Sequence, residues 1–546
     1  METIALILFL LLAVVVSGTL ARMSPVPVPL PLVQIALGAV IAVFAHSGVD
    51  LNPDIFFLLF LPPLLFLDGW RIPKEGLFRD KGTILELALG LVVFTVLGVG
   101  FFVHWMIPAM PLAVAFALAA VVSPTDPIAV SAIANRVPIP KRLLHILEGE
   151  SLLNDASGLV CMRFAVAAAL TGTFSPTGAV GTFLWLALGG VAVGIAVTWG
   201  TTVAKNWVSR HFGEETGSQI LVSLLIPFGA YLLAEEVHCS GILAAVAAGI
   251  SMSYAEQTGQ ALPVTRVRRV AVWDLIQFAA NGIVFVLLGE QLPQIATRAR
   301  ALVRDTGHSQ WVWLAVYAIA VSVALAALRF VWVWTSLRFT LFRTGQRGEH
   351  QRVPSWRLIA ATSLAGVRGA ITLAGVLTLP LTLSDGAPFP GRDLAIFLAA
   401  GVIIVSLVAA SLGLPYLLKG LKLPPEPSYQ EEEDRARIAA AEAAIAAIER
   451  ALHQRGDDWG DADVYTDVGA RIMELYRQRV RGHSRIGQEG IEARKADAVE
   501  RRLRLAGLRA ERDELYRAAR NNELSDELGR RLVREVDLQE ARFGPE

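Results

Sequence analysis

From residue 3 to residue 418 the chain is a succession of apolar stretches of ~20 residues, each long enough to cross the hydrocarbon core of a bilayer as a helix. Few folds are open to such a chain. In lipid every backbone N–H and C=O has to be paired within the protein, so stretches of this length fold as helices and pack side by side. Thirteen windows read this way: 3–20, 30–46, 54–69, 83–107, 111–134, 143–170, 179–204, 218–236, 239–255, 271–290, 311–338, 356–383 and 393–418. Hydrophobic residues make up 54% of the chain and the mean hydropathy is +0.51, well above what a soluble protein carries. The fold class that follows is an all-α polytopic membrane protein.

The first window, ETIALILFLLLAVVVSGTLA, has no basic start and no small-residue cleavage site, and it reads as a retained span. Beyond Leu423 the composition changes to Arg, Glu, Asp and Ala. This divides the chain into a membrane domain, 1–423, and a soluble helical C-terminal domain, 424–546. Amphipathic patterns such as IAAAEAAIAAIERALHQ and ADAVERRLRLAGLRAERDELYRAARNN suggest a small bundle there. The loops after odd-numbered windows hold basic residues, among them Arg22, Lys74, Arg136, Lys205, Arg269 and Arg347. By the positive-inside rule the N-terminus lies outside and the C-terminal domain in the cytoplasm of a cell (inner) membrane.

Several function classes fall away. Cys161 and Cys239 sit in apolar runs, far from any Cys or His at metal-ligand spacing. The formal net charge is +0, and no basic stripe with interleaved aromatics marks a nucleic-acid surface. No H-E-x-x-H and no G-x-S-x-G speaks for an enzyme, and no cofactor is implied.

Against this background the polar residues inside the apolar windows stand out. Residues 148–158 read EGESLLNDASG. On a helix Glu150 and Asn154 share one stripe, while Ser151, Asp155 and Gly158 lie one step round it, so the two carboxylates face different neighbours. An ionisable group at mid-membrane costs ~2.5 to 3.5 kcal/mol on insertion scales and is kept where it pairs or lines a pathway. The fifth window contains AAVVSPTDPIAV. Pro124 and Pro127 lack an N–H, which frees the carbonyls of Ala120 and Ser123, and a helix should break there. Broken backbone at membrane depth is tolerated where it lines a cavity, and transporters hold ions with such ends. Asp126, just before Pro127, fits a helix N-cap and also fits direct ion binding; Thr125, at the break, is the better ligand candidate.

The twelfth window contains SLAGVRGAITLAG, with Arg368 between Gly366 and Gly369. An arginine stays charged in such a place and needs a carboxylate, and Glu150 is the expected partner in a structural ion pair. Weaker features are LPPLLFLDGWR, with Asp68 read as interfacial, and FAANGIVFVLLGEQ, with Asn281 read as a helix-to-helix hydrogen bond.

The motifs LPPLLFLDGW, SPTDPIAV, GESLLNDASG and GVRGAI, in this order and spacing, resemble those of the monovalent cation/proton antiporter-1 family, most closely its bacterial sodium/proton exchanger branch. The resemblance spans about residues 55–375. It implies a homodimer of thirteen-span protomers with an inverted repeat that pairs the broken, crossing fifth and twelfth spans. It also implies that Asp155 is the ion and proton carrier, beside Asn154, with Glu150 and Arg368 as the buried glutamate and arginine. Where many animal members carry a glutamate in the tenth span, this sequence has Asn281.

The expected function is secondary active exchange of Na+, or Li+ or K+, for H+, in the service of pH homeostasis. In low dielectric one carboxylate holds a single positive charge, a proton or a cation, better than none or two. The expected Na+ site is Asp155, Ser151 and Thr125, with Asn154 and Asp126 beside them. Asn154 cannot titrate, so one proton should cross per cation and no net charge. A K+/H+-selective antiporter and a cation channel are the alternatives.

Overall fold

The computed structural model describes residues 2–24, 28–45, 53–72, 74, 81–126, 141–171, 176–257, 262–305, 312–345, 356–383, 386–419, 429–453, 462–484, 488–521 and 523–543. They fall into two compact units, Met1–Lys422 and Leu423–Glu546.

In the first unit a helix stands at each of the thirteen apolar windows. The first three are α1 (Glu2–Met23), α2 (Leu30–Ala45) and α3 (Pro53–Arg71). Next comes α4, which runs from Lys81–Leu85 through a π-helical turn, Glu86–Leu91, into Val92–Met106. Then follow α5 (Leu112–Val122), α6 (Lys141–Thr171), α7 (Pro176–Phe212), α8 (Thr216–Glu236), α9 (Gly241–Gln257), α10 (Pro263–Asp305) and α11 (Val312–Gly345). The twelfth window is two helices, α12 (Trp356–Leu364) and α13 (Ala370–Leu377), and α14 (Arg392–Leu418) ends the unit. Among the described residues seven helices are long and apolar enough to cross a membrane, and four shorter ones are apolar. The lone β-bridge among them joins Thr382 and Pro388.

The sequence explains which helices sit inside. α5, LAVAFALAAVV, is apolar all round, the mark of a helix wrapped by others, and Val114, Ala117, Leu118 and Val121 are all within 1% of complete burial. α7, by contrast, leaves Trp185, Leu188 and Trp199 exposed, an apolar face of the kind that meets lipid tails. The π turn in α4 also has a local cause: Ser157 of α6 donates its hydroxyl to the Ala88 carbonyl at 2.5 Å, engaging a group inside the turn.

Helix association in lipid rests on close packing, so small residues mark the crossings. Two such crossings frame the unit. α2 meets α10 where Gly38 lies against the Val286 carbonyl and Gly289 against that of Ile35. α3 meets α9 where Gly69 lies against the Val246 carbonyl and Gly249 against that of Phe66. Counting seven elements on, α2 corresponds to α9 and α3 to α10, so each crossing is the image of the other. The same count carries the break after α5 onto the break after α12, which is the internal repeat in its simplest form.

The second unit contains α15 (Tyr429–His453), α16 (Ala462–His483), α17 (Gln488–Arg520) and α18 (Asp526–Phe543). α15 packs on α16 and α17 on α18. Leu508, Val533 and Val536 are buried, and Arg512 pairs with Asp537 and Glu540 along the α17–α18 seam.

Candidate functional site

The two breaks meet. α5 stops at Val122, and residues 123–126 run on without helical hydrogen bonds. Pro124 has no N–H to offer the Ala120 carbonyl. Gly158 of α6 fills that spot: a Cβ there would meet Pro124 and stand 2.8 Å from the Ala120 oxygen. Gly158→Ala is expected to overpack this junction, at about 1 to 3 kcal/mol. Purified protein should melt earlier, and an unchanged thermal midpoint would remove the close contact from the account.

Between α12 and α13 there is no proline; Ala365–Gly369 unwinds on its glycines. The broken backbones then satisfy each other. In an unbroken helix the Asp126 N–H would bond to the Val122 carbonyl; here it donates to Val367 O at 2.6 Å. The Val122 carbonyl accepts from Arg368 Nε at 2.8 Å. Arg368 also donates through Nη1 to Gly366 O, and its own N–H goes to Ser406 Oγ at 3.1 Å. The guanidinium therefore sits at the C-terminal ends of two half-helices, α5 and α12, where carbonyl dipoles favour a cation. Asp126 stands at the same crossing. Its carboxylate lies against Gly369, at the start of α13, in space that any Cβ on residue 369 would occupy. The capping of a helix starting at Pro127 lies outside the described residues.

The expected ion pair of Glu150 with Arg368 is replaced by another. Glu150, 0% exposed, is held by both arms of Arg329 in α11, Nη1 to Oε1 at 2.5 Å and Nη2 to Oε2 at 2.6 Å. Arg329 Nε donates to Thr362 O at 3.3 Å, which ties α6, α11 and α12 together. The reason for the exchange of partners is geometric. Arg368 is drawn to the freed carbonyls at the crossing, whereas Arg329 projects from a packed helix onto the Glu150 stripe. Sequence reasoning passed over Arg329, although a lone arginine within AVSVALAALRFVWVW was the available signal.

Around this pair stands a second layer. Asn154 donates through Nδ2 to Thr125 Oγ1 at 3.1 Å and to Glu150 Oε1 at 3.4 Å. Thr125 Oγ1 in turn donates to Glu150 Oε1 at 3.4 Å, and Ser151 Oγ donates to the Thr125 carbonyl at 2.6 Å. Glu150 and Asn154 thus fix Thr125 from behind, and Asn154 Oδ1 has no hydrogen-bond partner among the described residues.

In front of Thr125 lies a cavity of ≈ 10 Å³, room for about one water or bare ion. Asp155, Ser151, Thr125 and Asp126 line it, joined by Asp68 of α3 and Asn281 of α10. Asp155 is 4% exposed. Of the residues singled out by sequence, these first four share one cavity wall; Asn154, Glu150 and Arg368 stand behind or beside it. Asp68 and Asn281, read as interfacial and as a packing contact, belong to the wall. Every donor there is oxygen or amide, a set suited to hard monovalent cations, and among the described residues no His, Cys, Asp and Glu cluster fits a resident metal.

A polytopic helical membrane protein with two broken helices crossing at a buried carboxylate has the architecture of a secondary transporter. The chain belongs to the sodium/hydrogen exchanger family, whose transmembrane family model matches residues 7–420. It is 42% identical to the uncharacterized Na+/H+ exchanger YjcE of Escherichia coli (strain K12), covering 99% of both chains. It is 36% identical to the sodium, potassium, lithium and rubidium/H+ antiporter of Bacillus subtilis (strain 168), covering 96% of this chain and 76% of that one. The sodium proton antiporter MjNhaP1 from Methanocaldococcus jannaschii has the same fold, with a TM-score of 0.59 at 19% identity, over 77% of this chain and 99% of that chain. The chain is a membrane protein of a transporter family.

Proposed function

We propose that the protein exchanges Na+ for H+ across the membrane, one for one, by competition of the two ions for Asp155. The observation that carries this reading is the cavity itself, where Asp155, 4% exposed, faces the hydroxyls of Ser151 and Thr125 beside the crossing of two broken helices, with Asp126 and Asp68 on the same wall. A carboxylate in low dielectric is stable with one bound positive charge, so a proton leaves as a cation enters. An empty, charged site crosses reluctantly, which couples the two fluxes. Ser151 and Thr125 complete the oxygen shell, Asp126 tunes its charge, and Asn154, with Glu150 and Arg329, holds Thr125 in place.

Li+ and K+ are further substrates on this reading. It is supported by the Bacillus relatives, whose names include potassium, lithium and rubidium. A K+/H+-selective exchanger is the second reading, on the same observation. A channel is disfavoured because half-helices locked to each other fit a moving carrier better than a fixed pore. The protein acts as a homodimer in the cell (inner) membrane, N-terminus outside and C-terminal unit in the cytoplasm, with basic residues concentrated in the loops on that side.

The test is transport in proteoliposomes under an imposed pH gradient, with Na+, Li+ and K+ in turn. Stoichiometry is read in the same vesicles, with an imposed membrane potential from an ionophore whose ion the protein does not carry. Because Asn154 takes up no proton, the potential is expected to drive no net Na+ movement at zero pH gradient. Uphill Na+ movement driven by potential alone would show a second titrating group, and Asp126 and Asp68 on the cavity wall are the places to look for it.

A further inference from the structure

A second cavity lies away from the ion site, at the ends of α7, α9 and α10 that carry the basic residues, with the start of α8 closing it. Its volume is ≈ 270 Å³, just under the ~300 Å³ at which small-molecule pockets begin. Nothing in the exchange mechanism uses it. On its wall stand three cationic side chains, Lys205 and Arg210 of α7 and Arg269 of α10, with the polar side chains of Thr202, Ser209 and Gln219 between them.

Arg269 is the unusual member. It is 1% exposed, yet only Nη1 is engaged, with Glu256 Oε1 at 2.5 Å; Nε and Nη2 have no acceptor among the described residues. A buried guanidinium with two unmet donors is costly and calls for an acceptor. Two carboxylates, Glu214 and Glu256, stand on the same wall and are already committed. Glu256 takes Arg269 and the Trp70 indole N–H at 2.8 Å, and Glu214 takes the Thr265 hydroxyl at 2.7 Å and the Leu262 N–H at 3.2 Å. Lys205, half-buried, and Arg210 make no hydrogen bond or salt bridge among the described residues. Gln219 donates to Ser209 Oγ at 2.8 Å and has a free Oε1, an acceptor for a ligand hydroxyl.

We propose that this cavity binds a phosphate group borne on a small polyol, with Arg269 and Lys205 holding the phosphate oxygens and Gln219 a hydroxyl. An anion with several acceptor oxygens matches a fork of unmet N–H donors and an ammonium better than a carboxylate would. The volume suits a phosphoglycerol headgroup and is small for a nucleotide. The source of the group is an anionic lipid: beside the cavity α7 exposes Val203, Trp207 and Val208, an apolar face with a tryptophan of the kind enriched at membrane interfaces. The ligand would pin α7 to α10, and through Glu256 and Trp70 to α3.

The test is binding, so it stands or falls apart from the transport reading. Protein in neutral detergent is titrated with phosphatidylglycerol, with phosphatidylcholine as control, and separately with glycerol 3-phosphate and inorganic phosphate; thermal unfolding and native mass spectrometry report binding. Phosphatidylglycerol is expected to raise the melting temperature and remain bound, and phosphatidylcholine to do neither. Lys205→Gln should weaken this roughly tenfold, as the loss of one charge-assisted hydrogen bond does. Arg269→Gln strands Glu256 and could unfold the site, so Lys205→Gln decides; Arg298→Gln, at the far end of α10, should change nothing. A Lys205-dependent response to glycerol 3-phosphate or phosphate, with none to the lipid, assigns the same site to a soluble ligand and overturns the lipid source. Absence of any Lys205-dependent binding among the four probes overturns the site.

Discussion

Asp155→Asn is expected to abolish Na+ flux driven by a pH gradient while the protein still folds, inserts and melts near the wild-type temperature. Asparagine keeps the shape of the side chain and its place on the cavity wall beside Ser151, but it cannot hold a proton in exchange for a cation. Neutral and hydrogen-bonding, it is also the less costly residue in a membrane, so loss of flux cannot be put down to instability. The measurement is flux in reconstituted vesicles, with circular dichroism and size-exclusion chromatography on the same preparation. More than a small residual exchange would remove Asp155 from the carrier role and direct attention to Asp126 and Asp68, which share its cavity.

The second large effect belongs to Glu150 and Arg329. Both are within a few per cent of full burial and bound through two hydrogen bonds. Glu150→Gln or Arg329→Gln leaves one charge without its counterpart, a loss of about 3 to 5 kcal/mol for a buried pair. Either single variant should express poorly and melt early, and the double variant should lose less than the two losses added. The cycle of Glu150 with Arg368 is the discriminating control, because Arg368 bonds to carbonyl oxygens and not to the carboxylate. Its coupling should fall well below that of the Arg329 cycle. Equal coupling in the two cycles would mean that the arginines share Glu150.

Much of this was legible in the sequence, for reasons that differ from element to element. Apolar windows of membrane-spanning length located the described helices of the first unit, because lipid leaves the backbone no alternative. The break after α5 was legible because two prolines remove N–H groups at fixed places. The break after α12 was legible only through an arginine flanked by glycines, without which 356–383 reads as one helix. Partner choice was not legible. Arg329 and Arg368 both sit within apolar runs, and helical periodicity places Glu150 on a stripe without saying which neighbour faces it. Asp68 and Asn281 were undervalued for a related reason. The cavity wall is made where α3 and α10 pass the crossing, and their approach depends on Gly69 and Gly289 meeting backbone far away in sequence. The bracing of Thr125 by Asn154 Nδ2 was not legible either; it follows from the turn of the Asn154 stripe toward Glu150.

The reciprocal bonding of the two breaks, Asp126 N–H to Val367 and Arg368 to Val122, bears on how the molecule can work as a machine. Neither half-helix can swing alone without breaking the hydrogen bond of a buried peptide group, which costs free energy wherever no other partner takes its place. On the proposed exchange the crossing is a cartridge, displaced as a whole, and the oxygens offered to an ion are the same whichever face of the membrane it arrives from. Nothing in that shell distinguishes loading from unloading. Rectification, where the cell needs it, has to be imposed by the helices that frame the cartridge and by whatever grips them.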